Sequence, residues 1–312
     1  MANFTVTDEN TTIQLNEASK SSIPAGIAIF LSTLNILLSI TASLGNTLTL
    51  VALHKVTSLH PSTKLLFRCL AITDLCVGVI TQPFYAVTLF PSLTTGMSRQ
   101  VIYYIDKLFN ASGFVLGQIS IYTSSAISVD RLLALLSGLR YRQVVTLQRV
   151  RAVIACFWLI GISVESITFW SVSIAITAGI SLTACSVTTS AFCYSAIYVK
   201  LRRHQLQMCS LTQGQPKGRE PPLNIARYKN SVSSAKWVQV ALLACYVPLA
   251  VVVMLTTYDI IPKSQIEIAS RVSVTFVYLN SSLNPILYCW KIRSVRQVAK
   301  DTIKQLNCCK SA

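Results

Sequence analysis

Seven stretches of this 312-residue chain are long enough and apolar enough to cross a bilayer, and few folds can be built from such a pattern. They run over residues 23–53, 64–90, 100–135, 152–171, 174–201, 232–258 and 266–290. A helix needs ~20 mainly apolar residues to span the hydrocarbon, and each run meets that length. The runs are too long and alternate too little to be barrel strands. Polar residues interrupt the third run, and the break between the fourth and fifth is faint. Composition points the same way: 52% of residues are hydrophobic and only 12% are charged. A globular protein carries ~25% charged residues to cover its surface, so most of this outer surface faces something other than water. Long disorder, a coiled coil and a soluble enzyme are excluded. The expected fold is an all-α membrane protein, a bundle of seven transmembrane helices over residues 23–290.

Seven spans put the two termini on opposite sides. All of the 27 lysines and arginines except Lys20, Arg99, Lys107, Lys263 and Arg271 fall on the side of the carboxyl terminus. Basic loops stay inside, so residues 291–312 are expected in the cytoplasm and residues 1–22 outside. That tail lacks the basic start and cleavage site of a signal peptide, leaving the first span as an uncleaved insertion signal. Two sequons, at Asn3 and Asn10, agree with an external, glycosylated tail. Further matches at Asn110 and Asn280 lie inside spans and read as chance. The net charge of +16 is then an inner face attracted to anionic membrane lipid, with an acidic partner as the alternative. It is not a nucleic-acid signature.

No outer loop holds a cysteine pair, so no disulfide is expected; Cys185 alone lies in an outward half. Adjacent Cys308 and Cys309 follow a basic segment and suit palmitoylation, or are unmodified tail thiols.

Ionisable groups inside spans are costly and point to function. Asp74, Asp130 with Arg131, and Glu165 stand out, together with the polar Asn46, Ser120, Asn280 and Asn284. An isolated carboxylate in hydrocarbon takes up a proton unless partnered. Asp74 therefore needs hydrogen bonds or a cation such as Na⁺, and a structural hydrogen-bond knot serves as well as a sodium site. Arg131 closes the third span, where it can pair with Asp130 in one state and reach other groups in another, or simply snorkel at a helix end. Pro248 and Pro285 lie within spans and kink them.

These residues resemble the rhodopsin-like (class A) G-protein-coupled receptors along all seven spans. Gly45-Asn46 resembles the first-helix GN signature, and Leu70-Ala71-Ile72-Thr73-Asp74 the LAxxD of the second. Asp130-Arg131-Leu132 resembles DRY with the tyrosine replaced. Trp158 stands at the fourth-helix tryptophan, Cys245-Tyr246-Val247-Pro248 resembles CWxP, and Asn284-Pro285-Ile286-Leu287-Tyr288 is an intact NPxxY. Residues 290–305 are similar to the short amphipathic eighth helix. The resemblance implies a non-enzymatic receptor of the plasma membrane. It would couple to a heterotrimeric G protein, with arrestin and a receptor kinase as further partners. It also implies a sodium pocket of Asp74, Ser120, Asn280 and Asn284. Arg131 would meet the G protein, Tyr194 and Tyr288 would swing toward it, and Tyr246 would replace the ligand-sensing tryptophan.

The departures matter as much. Asp106 stands where most such receptors have a third-helix cysteine, the second outer loop is nearly absent, and Ser186 replaces the fifth-helix proline. These losses resemble melanocortin receptors, with some shared by cannabinoid and lysophospholipid receptors. The acidic partners of a melanocortin calcium site read Phe84 and Asn110 here, so a full Ca²⁺ site is not expected. The chain reads as a divergent relative near the melanocortin, adenosine and cannabinoid group. Gly113 stands at the amine-binding aspartate, Tyr278 at the retinal lysine and Val253 at the purine-holding asparagine, which argues against amine, retinal and adenosine ligands. Phe84, Asp106, Asn110, Gly113, Gly117, Tyr246, Leu249, Val253, Val274 and Tyr278 are expected to line an apolar pocket suited to a lipid, or to a small cationic peptide anchored by Asp106. Asp106 as a solvated rim residue is the alternative.

Residues 206–224 read as a flexible third inner loop. Tyr228 stands where an acid often locks Arg131, which motivates an expectation of high agonist-free signalling. A non-signalling decoy or assembly partner is the competing reading. A seven-span transporter would need repeats or broken helices, and neither is found.

Overall fold

The computed structural model describes residues 23–57, 59–89, 98–212, 240–241, 243–256, 260, 263–291 and 296–297. Seven principal helices run through them: α1 (Ala25–Lys55), α2 (Pro61–Leu89), α3 (Arg99–Ser137), α4 (Leu147–Ile167), α5 (Val172–Thr212), α6 (Leu243–Thr256) and α7 (Lys263–Lys291). The first five are long and apolar enough to cross a membrane. The described part of α6 is short, and α7 is diluted by Lys263, Glu267, Arg271 and the polar stretch around Asn280–Asn284.

Burial is inverted relative to a water-soluble bundle. Phe30, Leu37 and Leu44 of α1 point outward, and Leu159 of α4 and Phe192 of α5 do the same, while Asn35, Asn46, Asp74, Asn280 and Asn284 are buried. In hydrocarbon an exposed leucine costs nothing and a polar group must find a partner inside. α3 is central, packing against α2, α4 and α5, while α1 closes the bundle against α2 and α7. Two apolar clusters lie at opposite ends: one around Leu53, Phe67, Leu70 and Val150, the other around Tyr85, Phe109 and Tyr278.

Local chemistry sets the helix ends. α2 begins with Pro61 in its first turn, where the missing N–H is no loss. Ser98 and Thr146 cap α3 and α4, each side-chain oxygen accepting from the backbone N–H three residues on. α3 stops at Gly138, whose φ of 49° a residue with a Cβ resists.

Several expectations shift. The polar interruption does not break the third span, since α3 is continuous over 39 residues; the hydroxyls of Ser112, Thr123 and Ser128 bond within the bundle. α5 continues to Thr212, so residues 206–212 are helix and not loop. α2 contains an unforeseen π-helical turn, Val77–Thr81, ending two residues before Pro83, which has no N–H to give the carbonyl four residues back. Asn3, Asn10, Tyr228, Cys308, Cys309 and nearly all of the expected eighth helix lie outside the described residues.

Candidate functional site

Pro285 organises the middle of the bundle. It sits inside α7 and has no N–H to give the carbonyl of Ser281, one turn earlier. Asn46 supplies the missing donor from α1: its Nδ2 bonds the Ser281 oxygen at 3.0 Å and the Ala42 oxygen of its own helix at 2.9 Å. Gly45 makes the approach possible. A Cβ there would lie 2.9 Å from the Cβ and Cγ of Pro285, so only glycine lets the proline ring lie against α1. The GN pair and the proline of NPxxY are thus two halves of one contact.

The adjoining turns of α7 face Asp74 of α2, which is fully buried. Its Oδ1 accepts from the Ser281 hydroxyl at 2.9 Å and its Oδ2 from Asn284 Nδ2 at 2.7 Å. Ser120 of α3 borders the same carboxylate, and Tyr246 of α6 lies within its electrostatic reach. Two buried oxygens here, Ser120 Oγ and Asn284 Oδ1, make no hydrogen bond among the described residues, and Asn280 Oδ1, one turn before Asn284 on α7, is likewise buried and unpaired. A carboxylate with spare neutral oxygens around it is the donor chemistry of a hard cation. The sequence placed Asp74 and Asn284 together; it missed Ser281.

At the basic end of the bundle, Arg131 Nη2 pairs with Asp130 Oδ2 at 2.9 Å. Asp130 is nearly fully buried and holds two further donors. Thr63 of α2 donates to Oδ2 at 2.9 Å, and Tyr141, in the short helical turn Tyr141–Val144 after α3, donates to Oδ1 at 2.5 Å. Burial and the adjacent carboxylate push the Tyr141 phenol up to about 12, so it stays a donor throughout the neutral range. Tyr194 packs with Leu287 against the apolar cluster at this end and lies close to Ser128 and Arg131. Nothing is described of the Tyr288 side chain. Neither Thr63 nor Tyr141 is marked in the sequence by anything beyond being a polar residue near a helix end.

At the opposite end, the bundle's own aromatic side chains occupy much of the expected pocket. Tyr85 stacks on Phe109 at 4.9 Å between ring centroids, and Tyr278 meets Tyr85 edge-on at 5.5 Å. The Tyr278 hydroxyl fills the space above Gly113, 2.9 Å from where a Cβ would stand. The Tyr246 hydroxyl points to the Gly117 oxygen at 3.5 Å, a weak contact. Phe84 and Val274 pack against this cluster, while Leu249 and Val253 are half-buried on α6. Asp106 accepts from Asn110 Nδ2 at 2.9 Å.

Arg271 of α7, unused in the sequence reading beyond its side of the membrane, lies within electrostatic reach of Asp106. Its carbonyl accepts from Tyr85 at 2.7 Å, and its guanidinium sits 6.0 Å from that ring. An arginine inside a span was the signal that could have revealed it. Glu165 stands in the last turn of α4 near Lys107, away from the Asp74 centre.

Comparison with known proteins accords with this layout. The chain is similar to the adenosine receptor A2b of Gallus gallus, 24% identical over 88% of each chain, and to the melanocortin receptor 4 of Danio rerio, 24% identical over 87% of this chain and 82% of that one. Its fold is that of squid rhodopsin, with a TM-score of 0.75 at 16% identity over 92% of this chain and 88% of that one. Residues 45–170 and 162–288 match the family described as 7 transmembrane receptor (rhodopsin family). The chain belongs to that family, and is a multi-pass membrane receptor of the G-protein-coupled class.

Proposed function

We propose that this receptor sits in the plasma membrane with its amino terminus outside and binds its ligand at the Asp106–Tyr278 end. It signals by moving α6 outward at the Asp130–Arg131 end to admit a heterotrimeric G protein. The observation that carries this reading is the Asp130–Arg131 pair, a closed contact with an obvious open alternative. Releasing Arg131 gives up one ion pair, while Thr63 and Tyr141 stay on Asp130 and offset the cost of leaving that carboxylate buried. A ligand shifts such an equilibrium only through its differential affinity for the two states.

Around the outer pocket, Asp106 and Arg271 put both signs of charge beside an aromatic floor. That suits a small peptide or a lipid with a charged headgroup better than a simple amine. Asp74, Ser120, Asn280 and Asn284 would hold Na⁺, which supplies a positive charge that keeps Asp74 ionised and favours the resting packing. Ser281 is already bonded to Asp74 and would remain in its first coordination neighbourhood.

The test is agonist-free activation of each Gα class in cultured cells, with surface expression matched. Wild type is expected to signal above empty vector, Arg131→Ala to abolish the signal, and added NaCl to lower it in wild type but not in Asp74→Asn. A silent wild type sinks the expectation of high basal activity, and continued silence against lipid and peptide panels favours a non-signalling decoy.

A further inference from the structure

Two opposite charges, Asp106 of α3 and Arg271 of α7, face each other at the outer end of the bundle without pairing. We propose that they are the two halves of a site for a compact zwitterion, a ligand whose primary ammonium and whose carboxylate or phosphate lie only a few bonds apart. The inference rests on the reading that the ligand enters at this end, and it narrows that ligand by the spacing of its charges.

Helical spacing puts the two charges at one height. Gly113 of α3 meets Tyr278 of α7, whose hydroxyl fills the space beside the glycine. Asp106 precedes Gly113 by seven residues and Arg271 precedes Tyr278 by seven. Both helices run inward from the outer side, and seven residues make two turns. Each charge therefore stands ~10 Å above that contact, on the face its helix turns to the other. Asn110 shares this face of α3 and is exposed, so the mouth is open here. Buried Tyr85, Phe109 and Tyr278 close it below.

Each charge is held in place and left unsatisfied. Asp106 Oδ2 accepts from Asn110 Nδ2 at 2.9 Å, while Oδ1 accepts nothing among the described residues. The Arg271 backbone is pinned by its carbonyl, which accepts from the Tyr85 hydroxyl at 2.7 Å and from Thr275 Oγ1 at 3.0 Å. Its guanidinium lies 6.0 Å from the centre of the Tyr85 ring. None of the five N–H groups of that guanidinium has a hydrogen bond among the described residues. Both side chains are half-buried and within electrostatic reach of one another, yet they make no salt bridge with each other.

That gap selects the ligand. A lone cation satisfies Asp106 but is repelled by Arg271, and a lone anion meets the reverse. A molecule with both charges gives each side chain a charge-assisted hydrogen bond and adds no net charge to a half-buried site. Asp106 can only accept, so it needs N–H donors, which a primary ammonium has and a quaternary one lacks. A peptide whose two charges sit at its opposite ends does not bridge the pair. Two sources carry the required chemistry: a free α-amino acid, and the phosphoethanolamine head of a lysophospholipid.

The experiment reads binding directly, so its outcome is separate from whether the receptor signals. The full chain in phosphatidylcholine nanodiscs is titrated with the standard L-amino acids except cysteine, with O-phosphoethanolamine and with lysophosphatidylethanolamine. A thiol-reactive dye reports unfolding through buried Cys69, Cys193 and Cys245. A zwitterion that binds should raise the midpoint by about 5 °C at a hundred times its Kd. N-acetylating it, or removing its carboxylate or phosphate, should weaken it about tenfold or more. Asp106→Asn should make the parent and its N-acetyl form bind alike, and Arg271→Gln should do the same for the parent and its anion-less amine. Neither change touches the backbone carbonyl that holds Tyr85. Shifts with amino acids alone assign a free amino acid, and shifts with lysophosphatidylethanolamine but not lysophosphatidylcholine assign the lipid head. No shift across the panel, or one-charge analogues that match their parent in wild type, would overturn the proposal. Binding without activation of any Gα class upholds the site and refutes the signalling reading instead.

Discussion

Asn46 should be needed only because Pro285 is present. Its amide donates to the Ser281 carbonyl at 3.0 Å, an acceptor orphaned because residue 285 has no N–H. Asn46→Ala leaves that carbonyl unpaired among fully buried atoms and removes the side-chain volume packed there. Interhelical hydrogen bonds in membrane bundles are worth ~0.6–1.7 kcal/mol by double-mutant cycle. Pro285→Ala restores a backbone donor to Ser281 and also deletes the ring that rests on Gly45, so it destabilises for a separate reason.

The cycle separates the two effects. In the Pro285→Ala background, Asn46→Ala should cost less than in wild type by about 1 kcal/mol, twice the ~0.5 kcal/mol scatter of additive pairs. For a chain of this size 1 kcal/mol moves the midpoint by ~2 °C. The assay is thermal unfolding of the four proteins in matched nanodiscs at one scan rate, followed by tryptophan fluorescence. Strict additivity would refute the claim that Asn46 substitutes for the proline's missing donor.

Two further perturbations test the ends of the bundle. Tyr141→Phe removes a hydrogen bond to an ionised Asp130, a contact worth ~1.5–3 kcal/mol. Because Tyr141 stays on Asp130 when Arg131 leaves and offsets the cost of that open state, its loss should lower basal G-protein activation severalfold in a cell-based assay with matched expression; a rise would show that the contact belongs to the closed pair. Gly113→Ala places a methyl 2.9 Å from the Tyr278 hydroxyl and 3.2 Å from Thr81 Cγ2, and should lower the melting midpoint by several degrees, since overpacking costs ~1–3 kcal/mol. Tyr278→Phe should recover most of that loss, and failure to do so would show that the phenol is not what fills the space.

Much of this architecture is legible in the residues. Seven apolar runs demand a helical bundle because the bilayer offers backbone groups no other partner. A carboxylate at Asp74 needs a partner because it is not tolerable alone in hydrocarbon, and the resemblance to the receptor family set Asn284 beside it. Adjacent Asp130 and Arg131 announce their pairing by sequence proximity.

What tertiary packing alone decides is which of many equivalent hydroxyls and tyrosines completes each centre. Thr41 and Thr47 spend their hydroxyls on carbonyls four residues back in their own helix, whereas Ser281 and Thr63 cross to another. Nothing in composition or periodicity tells these apart. The choice depends on the rotation of each helix about its axis, and partners such as Asp74 and Ser281 are separated by 207 residues of chain. The same holds for Tyr278 closing over Gly113, for Arg271 reaching Asp106, and for Tyr122 left without an acceptor. Each follows from how whole helices settle against one another, a balance of many small packing contacts that no local pattern encodes.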